Sequence, residues 1–231
     1  MDFGSLTLPA REVTGYRAIN SRFPPIRLFD DVANAAEFDQ LYAIQARTNP
    51  RILSELGRLE LISRAEIPFG IPGCSYAAAP FTHINPDGSR FSGGEFGVLY
   101  IADEIETALT EIVYHQQRYW QGVKEKKFDR VVLRGLSCKF NEENMVNATA
   151  LPEDHPAYDP DDYTSARHLA KILKTSKFPG IRYRSVRRPG SLCWGLFTPK
   201  PMISIKQTAH YEMVWDGSEV VGINQLKALK P

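Results

Sequence analysis

The order of apolar and polar positions predicts a chain of mixed elements. Ile105, Ala108, Leu109, Ile112 and Val113 recur at helical spacing, so a helix is expected from Glu104 to about Trp120. Ala166, Leu169, Ala170 and Leu173 mark another, closed by Phe178-Pro179-Gly180. An earlier helix is expected over Ala36–Ala46. A further one opens at Asn49 as N-cap, with Pro50 in its first turn and Leu53, Leu56 and Leu59 on its apolar side. Apolar or alternating runs predict strands at Ser75–Phe81, Phe96–Ala102, Val131–Cys138, Ile181–Val186, Leu192–Phe197 and Met202–Trp215. The first thirty residues, with Phe23-Pro24-Pro25, read as irregular, and Thr82–Gly94 as a polar loop around Pro86-Asp87-Gly88. Asn141–Asp162 carries no Lys or Arg and is broken by Pro152, Pro156 and Pro160, so an acidic surface loop is expected there.

Strands and helices are mixed rather than strictly alternating. That favours a single α+β domain over residues 1–231, a mixed β core with flanking helices, the strands of 198–231 included. Asp103 before the central helix, with Glu106 three residues on, has the spacing of a capping box.

The 231 residues contain 28 Lys+Arg against 27 Asp+Glu, a formal charge of +1, which argues against a dedicated nucleic-acid binder. Hydrophobic residues make up 43% and charged residues 24%, enough apolar surface for a core without disulfides or a structural metal. No apolar run reaches the ~18–20 residues of a membrane span. Met1–Val13 lacks the basic flank and apolar centre of a secretory signal. Cys74, Cys138 and Cys193 are odd in number and far apart, with neither C-x-x-C nor zinc-ligand spacing, and read as reduced thiols. A cytoplasmic protein with no metal is expected. There is no Walker phosphate loop, no H-E-x-x-H and no G-x-S-x-G. Gly93-Gly94-Glu95-Phe96-Gly97 runs into a strand-like stretch, so a Rossmann crossover is also excluded.

Residue types suited to one ligand recur in islands. Tyr16-Arg17 stands near the start. Ser89-Arg90-Phe91-Ser92-Gly93-Gly94 leads into Val98-Leu99-Tyr100, and Glu106-Thr107-Ala108-Leu109-Thr110-Glu111 lies on the helix that follows. Gly180-Ile181-Arg182-Tyr183-Arg184-Ser185-Val186-Arg187 comes last. Taken singly, Arg90 reads as a solvated loop residue, Tyr100 as a core aromatic, Glu106 as the partner of Asp103, and His115 as a surface histidine. Arg182, Arg184, Arg187 and Arg188 do not form one stripe, because strand alternation separates Arg182 and Arg184 from Tyr183 and Ser185.

In this order, from about Tyr16 to Phe197, the islands resemble the RES family of bacterial toxin–antitoxin toxins, named for an Arg, a Glu and a Ser. Ser89 stands where the family's loop has Gly, and Ser92 where it has Asn. The resemblance implies a fold similar to mono-ADP-ribosyltransferases and an enzyme that consumes NAD as substrate. Cleaving the nicotinamide–ribose bond builds positive charge on the ribose, as in glycoside hydrolysis, and a fixed carboxylate stabilises that charge. Carried over residue by residue, Glu111 is the catalytic carboxylate, with Tyr100 on the nicotinamide side and Arg90 as a loop ligand. Arg17 serves the pyrophosphate, and Ser185 orders the site by hydrogen bonds. Glu111 is preferred to Glu106 because capping already accounts for Glu106. His115, at i+4 from Glu111, is a candidate partner of it.

The resemblance leaves three functions in view: transfer of ADP-ribose to a host protein, hydrolysis or phosphorolysis of NAD, and a non-catalytic interaction module. The long stretches Ala36–Ile62 and Asn141–Asp162 offer surface for a protein acceptor and favour transfer. The resemblance also implies an inhibitory antitoxin as partner; the charge balance and the lack of a long apolar run add the expectation of no direct nucleic-acid contact and no membrane.

Overall fold

A computed structural model describes residues 3–22, 29–30, 32–48 and 56–227. Phe23-Pro24-Pro25 and the expected helix start at Asn49, Pro50 and Leu53 lie outside the described residues. Leu56 and Leu59, expected on that helix, are buried in the core.

The architecture is α+β: one eight-stranded mixed sheet, ordered β4-β5-β6-β2-β1-β3-β7-β8, with helices on its faces. The strands are β1 (Glu12–Asn20), β2 (Leu99–Ala102), β3 (Asp129–Asn141), β4 (Val146–Asn147), β5 (Gly180–Arg184), β6 (Leu192–Leu196), β7 (Met202–Trp215) and β8 (Val220–Leu226). All pairings are antiparallel except β4 with β5. Among the described residues, the α-helices with both ends defined are α1 (Ala35–Thr48), α2 (Cys74–Thr82), α3 (Ile105–Gln121) and α4 (Thr164–Thr175).

The sheet is nearly split in its middle. β1 pairs with β3 along its whole length, from Glu12↔Asn141 to Asn20↔Leu133, yet it meets β2 only at Tyr16↔Ala102. Gly15 makes that crossing possible, since a Cβ there would lie 2.7 Å from the Ala102 carbonyl oxygen. Three apolar clusters hold the two halves. α2 packs Cys74, Ala77, Ala78 and Phe81 on Leu99, Ile101, Leu136 and Leu196. On the other face α3 packs Leu109 and Trp120 on Leu133, Met213 and Trp215, with Trp120 and Trp215 rings 5.3 Å apart. α4 packs Ala166, Ala170 and Leu173 beside Ile181 and Tyr183 of β5.

Most expected elements form, with ends shifted by a few residues; four readings change. Ser75–Phe81 is helical rather than a strand. Its alanines favour helix, and Cys74, Ala77, Ala78 and Phe81 make an apolar face at helical spacing. Pro80 lies inside this helix and leaves the Tyr76 carbonyl without its i→i−4 bond, which the apolar packing of α2 offsets. β1 occupies a stretch expected to be irregular; it is covered on both sides and so lacks a clean apolar/polar alternation. β2 shortens to Leu99–Ala102, since Gly97 must pass close to α2, where a Cβ would lie 2.2 Å from the Pro80 carbonyl.

The fourth change is the 141–162 segment, which is not simply a surface loop. Met145, Val146, Ala148, Leu151 and Ala157 are buried, and β4 extends the sheet beside β5. The basic strand anchors it: Arg184 donates to the Thr149 and Leu151 carbonyls at 2.5 and 3.0 Å, and Arg182 pairs with Glu142 at 3.4 Å. Buried Glu142 also accepts from Trp194 Nε1 at 3.0 Å and pairs with Arg11 at 2.6 Å. Arg188 closes the group by pairing with Glu104 at 2.6 Å. These arginines are therefore internal ties.

Candidate active site

A cleft of about 750 Å³ opens where β1 and β2 part. Pro80 lines it from the end of α2, and His83 and Ile84 from just after it; Asp87, Ser89 and Ser92 come from the loop before β2, and His115 and Arg118 from α3. Arg17, Tyr100, Asp161, Tyr163 and Arg167 also line it. The size suits a drug- or nucleotide-sized ligand.

Arg17 sits on the α2 side of β1, opposite Leu136, and donates to the Tyr100 carbonyl at 2.9 Å. No described carboxylate pairs with it. Burial holds its guanidinium below the ordinary arginine value, opposed by nearby Cys138 and Tyr100, and it remains a cation. It is thus a positive charge placed at the cleft and available to an anion.

Tyr100 organises the loop before it. Its hydroxyl lies 2.8 Å from Ser89 Oγ and accepts the Phe91 backbone N–H at 2.9 Å. Burial pushes the phenol up to about 12, against the hydrogen bonds from Ser89 and Phe91, so it is neutral in the physiological range. The ring also packs at 6.3 Å from Phe91. Ser92, at the family's Asn position, pins the loop separately. Its hydroxyl donates to the Phe96 carbonyl at 2.6 Å and accepts from Gly94 N at 3.1 Å.

Glu111 and Ser185 meet although they are far apart in the chain. Ser185 Oγ donates to Glu111 Oε1 at 2.8 Å, while the backbone N–H groups of Arg187 and Arg188 point at that hydroxyl from 3.3 and 3.1 Å. The turn after β5 thereby fixes the serine, and the serine fixes the carboxylate. Neither residue forms part of the cleft wall itself. Glu111 lies one turn before His115, which does.

Arg90 is also behind the wall. It is buried, donates to the Ala157 and Asp159 carbonyls at 3.3 and 2.8 Å, and lies 4.4 Å from the centre of the Tyr163 ring. It fastens the 157–163 segment along the cleft. Of the five residues assigned from the sequence, Arg17 and Tyr100 face the cleft, Glu111 and Ser185 are joined beside it, and Arg90 braces it.

The capping box does not form. Asp103 Oδ1 accepts from Glu104 N and Thr107 Oγ1 at 2.9 and 2.8 Å, and Oδ2 from Leu192 N at 2.7 Å, stitching α3 to β6. Glu106 is exposed and its carboxylate caps nothing. The preference for Glu111 now rests on the bond from Ser185.

Several cleft residues were not singled out in the sequence. Arg118 follows Glu111 and His115 on the same helical face, a spacing that is legible at i, i+4 and i+7. Asp161 is shared by Arg118 at 3.3 Å and the Tyr114 hydroxyl at 2.6 Å. Arg187 stacks 3.4 Å from the centre of the Tyr114 ring. Arg167 reaches back from α4 to the Ser89 carbonyl at 2.9 Å, a contact without a local sequence signal. Burial raises the Cys74 and Cys138 thiols to about 12, and Cys193 is raised too; all three are free and buried. Among the described residues no three His, Cys, Asp or Glu side chains gather as a metal-ligand set, and no helix is long and apolar enough to cross a membrane.

The RES domain family matches residues 67–216, more than half of the chain. The chain belongs to the RES domain family. Arg90, Tyr100, Glu111 and Ser185 fall inside the matched region, and Arg17 outside it. The uncharacterized protein y4oC of Sinorhizobium fredii is 28% identical over 208 residues, covering 89% of this RES chain and 84% of its own length. A chain in the crystal structure of the M. tuberculosis MbcT–MbcA toxin–antitoxin complex overlaps 94% of this chain and 91% of itself, with a TM-score of 0.49 and 8% identity.

Proposed function

We propose that this RES protein is the NAD-consuming toxin of a type II toxin–antitoxin pair, cleaving the nicotinamide–ribose bond and transferring ADP-ribose to a host protein. The observation that carries the reading is the Glu111 carboxylate held by Ser185 beside a cation-lined cleft, in a chain of this family. Arg17, Arg118 and Arg167 supply positive charge for a pyrophosphate. The aromatic ring of Tyr100 offers an apolar face for nicotinamide. Ser185 occupies one oxygen of Glu111, and no described residue bonds to the other. That free oxygen is available to a ribose hydroxyl and to the positive charge that grows as nicotinamide leaves.

The same site would serve hydrolysis or phosphorolysis; only the acceptor differs. A co-produced antitoxin that covers the cleft follows from the toxin reading, because uncontrolled NAD loss would poison the host. Incubating purified protein with labelled NAD and cell lysate tests the whole reading. Label on a protein band supports transfer, label only in small molecules supports the hydrolytic or phosphorolytic alternative, and intact NAD overturns both.

A further inference from the structure

One ionisable side chain in the cleft plays no part in the bond cleavage proposed for Glu111. His115 lines the cleft one helical turn after that carboxylate. Its imidazole packs edge-on against Tyr114 at 5.3 Å and has no hydrogen-bond partner among the described residues. His83, the other histidine on the wall, is 3.1 Å from the Thr82 hydroxyl through Nδ1.

The surroundings of His115 keep it a base. On its own helix its neighbours are Glu111 at i−4, Tyr114 at i−1 and Arg118 at i+3. Arg90 approaches from the loop before β2, Arg187 from the turn after β5, and Asp161 and Tyr163 line the same cleft from the segment before α4. The imidazole is exposed on the cleft side of α3; desolvation by the protein around it, followed by the charges of Arg187, Arg90 and Arg118, lowers its pKa from the usual 6.5. A neutral imidazole at pH 7 accepts a proton without first losing one.

The reaction needs such a group. When the C1′–N bond breaks, its electron pair leaves with neutral nicotinamide and the ribose carries the positive charge. Water or a hydroxyl then forms the C1′–O bond and must lose a proton. Glu111 has one oxygen committed to Ser185, and its charge is best kept for the ribosyl cation.

We propose that His115 is the general base that takes the proton from the oxygen acceptor of ADP-ribose, an inference that rests on the NAD-cleaving reading. The acceptor O–H bond breaks, the C1′–O bond forms, and the proton passes to the imidazole and then to solvent. The sum is NAD plus acceptor giving ADP-ribosyl acceptor, nicotinamide and a proton.

Nicotinamide exchange separates this role from a structural one. An incoming radiolabelled nicotinamide attacks through a ring nitrogen that carries no proton, so exchange into NAD needs Glu111 but no base. In His115→Gln, NAD consumption in the presence of acceptor should fall roughly 100-fold, as loss of a general base does, while exchange changes little. In unmodified protein, consumption should fall as pH drops through the lowered histidine pKa, while exchange stays flat. That comparison needs no variant to fold. Equal loss of both activities in folded His115→Gln, no loss of either, or parallel pH profiles in unmodified protein would overturn the proposal. Unmodified protein that neither exchanges nor consumes NAD would instead overturn the reading beneath it.

Discussion

Ser185 and Glu111 are 74 positions apart, and the hydroxyl of one donates to the carboxylate of the other at 2.8 Å. The turn after β5 aims backbone N–H groups at the serine oxygen, which leaves its proton directed at the glutamate. A carboxylate restrained in this way needs little reorganisation when charge develops beside it.

Glu111→Gln should reduce NAD cleavage by ~100–1,000-fold, the usual loss for one preorganised electrostatic element. The glutamine carbonyl can still accept from Ser185, so the thermal midpoint should barely move. Glu106→Gln should leave both quantities nearly unchanged, because Glu106 is exposed and caps nothing. Initial rates and melting curves of the two variants, measured together, check this; equal rate losses would remove the assignment to Glu111.

Ser185→Ala keeps the carboxylate but frees its rotamer. A misplaced catalytic group commonly costs up to about 100-fold. The loss should appear in kcat rather than KM, since Ser185 does not form part of the cleft wall. Adding Ser185→Ala to Glu111→Gln should cost little more than Glu111→Gln alone, because both act through one oxyanion. Additive losses in that double-mutant cycle would show that Ser185 acts independently.

Glu142→Ala should be a stability variant. Its buried carboxylate serves Arg182, Arg11 and the Trp194 indole, and removing one member of a buried ion pair costs about 3–5 kcal/mol. Urea unfolding should show the drop. The activity of the fraction still folded should be close to that of unmodified protein, because the cluster is not part of the cleft wall.

Tyr100→Phe keeps the ring against Phe91 but removes the acceptor for the Phe91 N–H and the partner of Ser89. An abandoned buried donor costs about 1–3 kcal/mol, so a lowered thermal midpoint is expected. With the phenol pushed up to about 12, no tyrosinate forms at Tyr100 near neutrality. Ultraviolet difference spectra of the two proteins, titrated from pH 7 to alkaline values, should therefore diverge only near the top of the range.

The sequence alone specifies the α3 helix, the apolar stripe that buries it, and the positions of Glu111 and His115 off that stripe. Each is a local property, set by the 3.6-residue repeat of the helix. It also marked β7 from Met202 to Trp215 and the α4 stripe, where one face is plainly apolar. It misread α2, whose short alanine-rich run fits both periods, and passed over β1, where cover on both sides erases alternation. Only in the folded chain does Asp103 tie α3 to β6 instead of closing a capping box with Glu106. Folding also turns Arg90 inward to the Ala157 and Asp159 carbonyls and brings Ser185 to Glu111. Those contacts join residues tens of positions apart through strand order and register. A hydrogen bond across that distance leaves no periodic trace in the chain, because its geometry exists only once the sheet has formed.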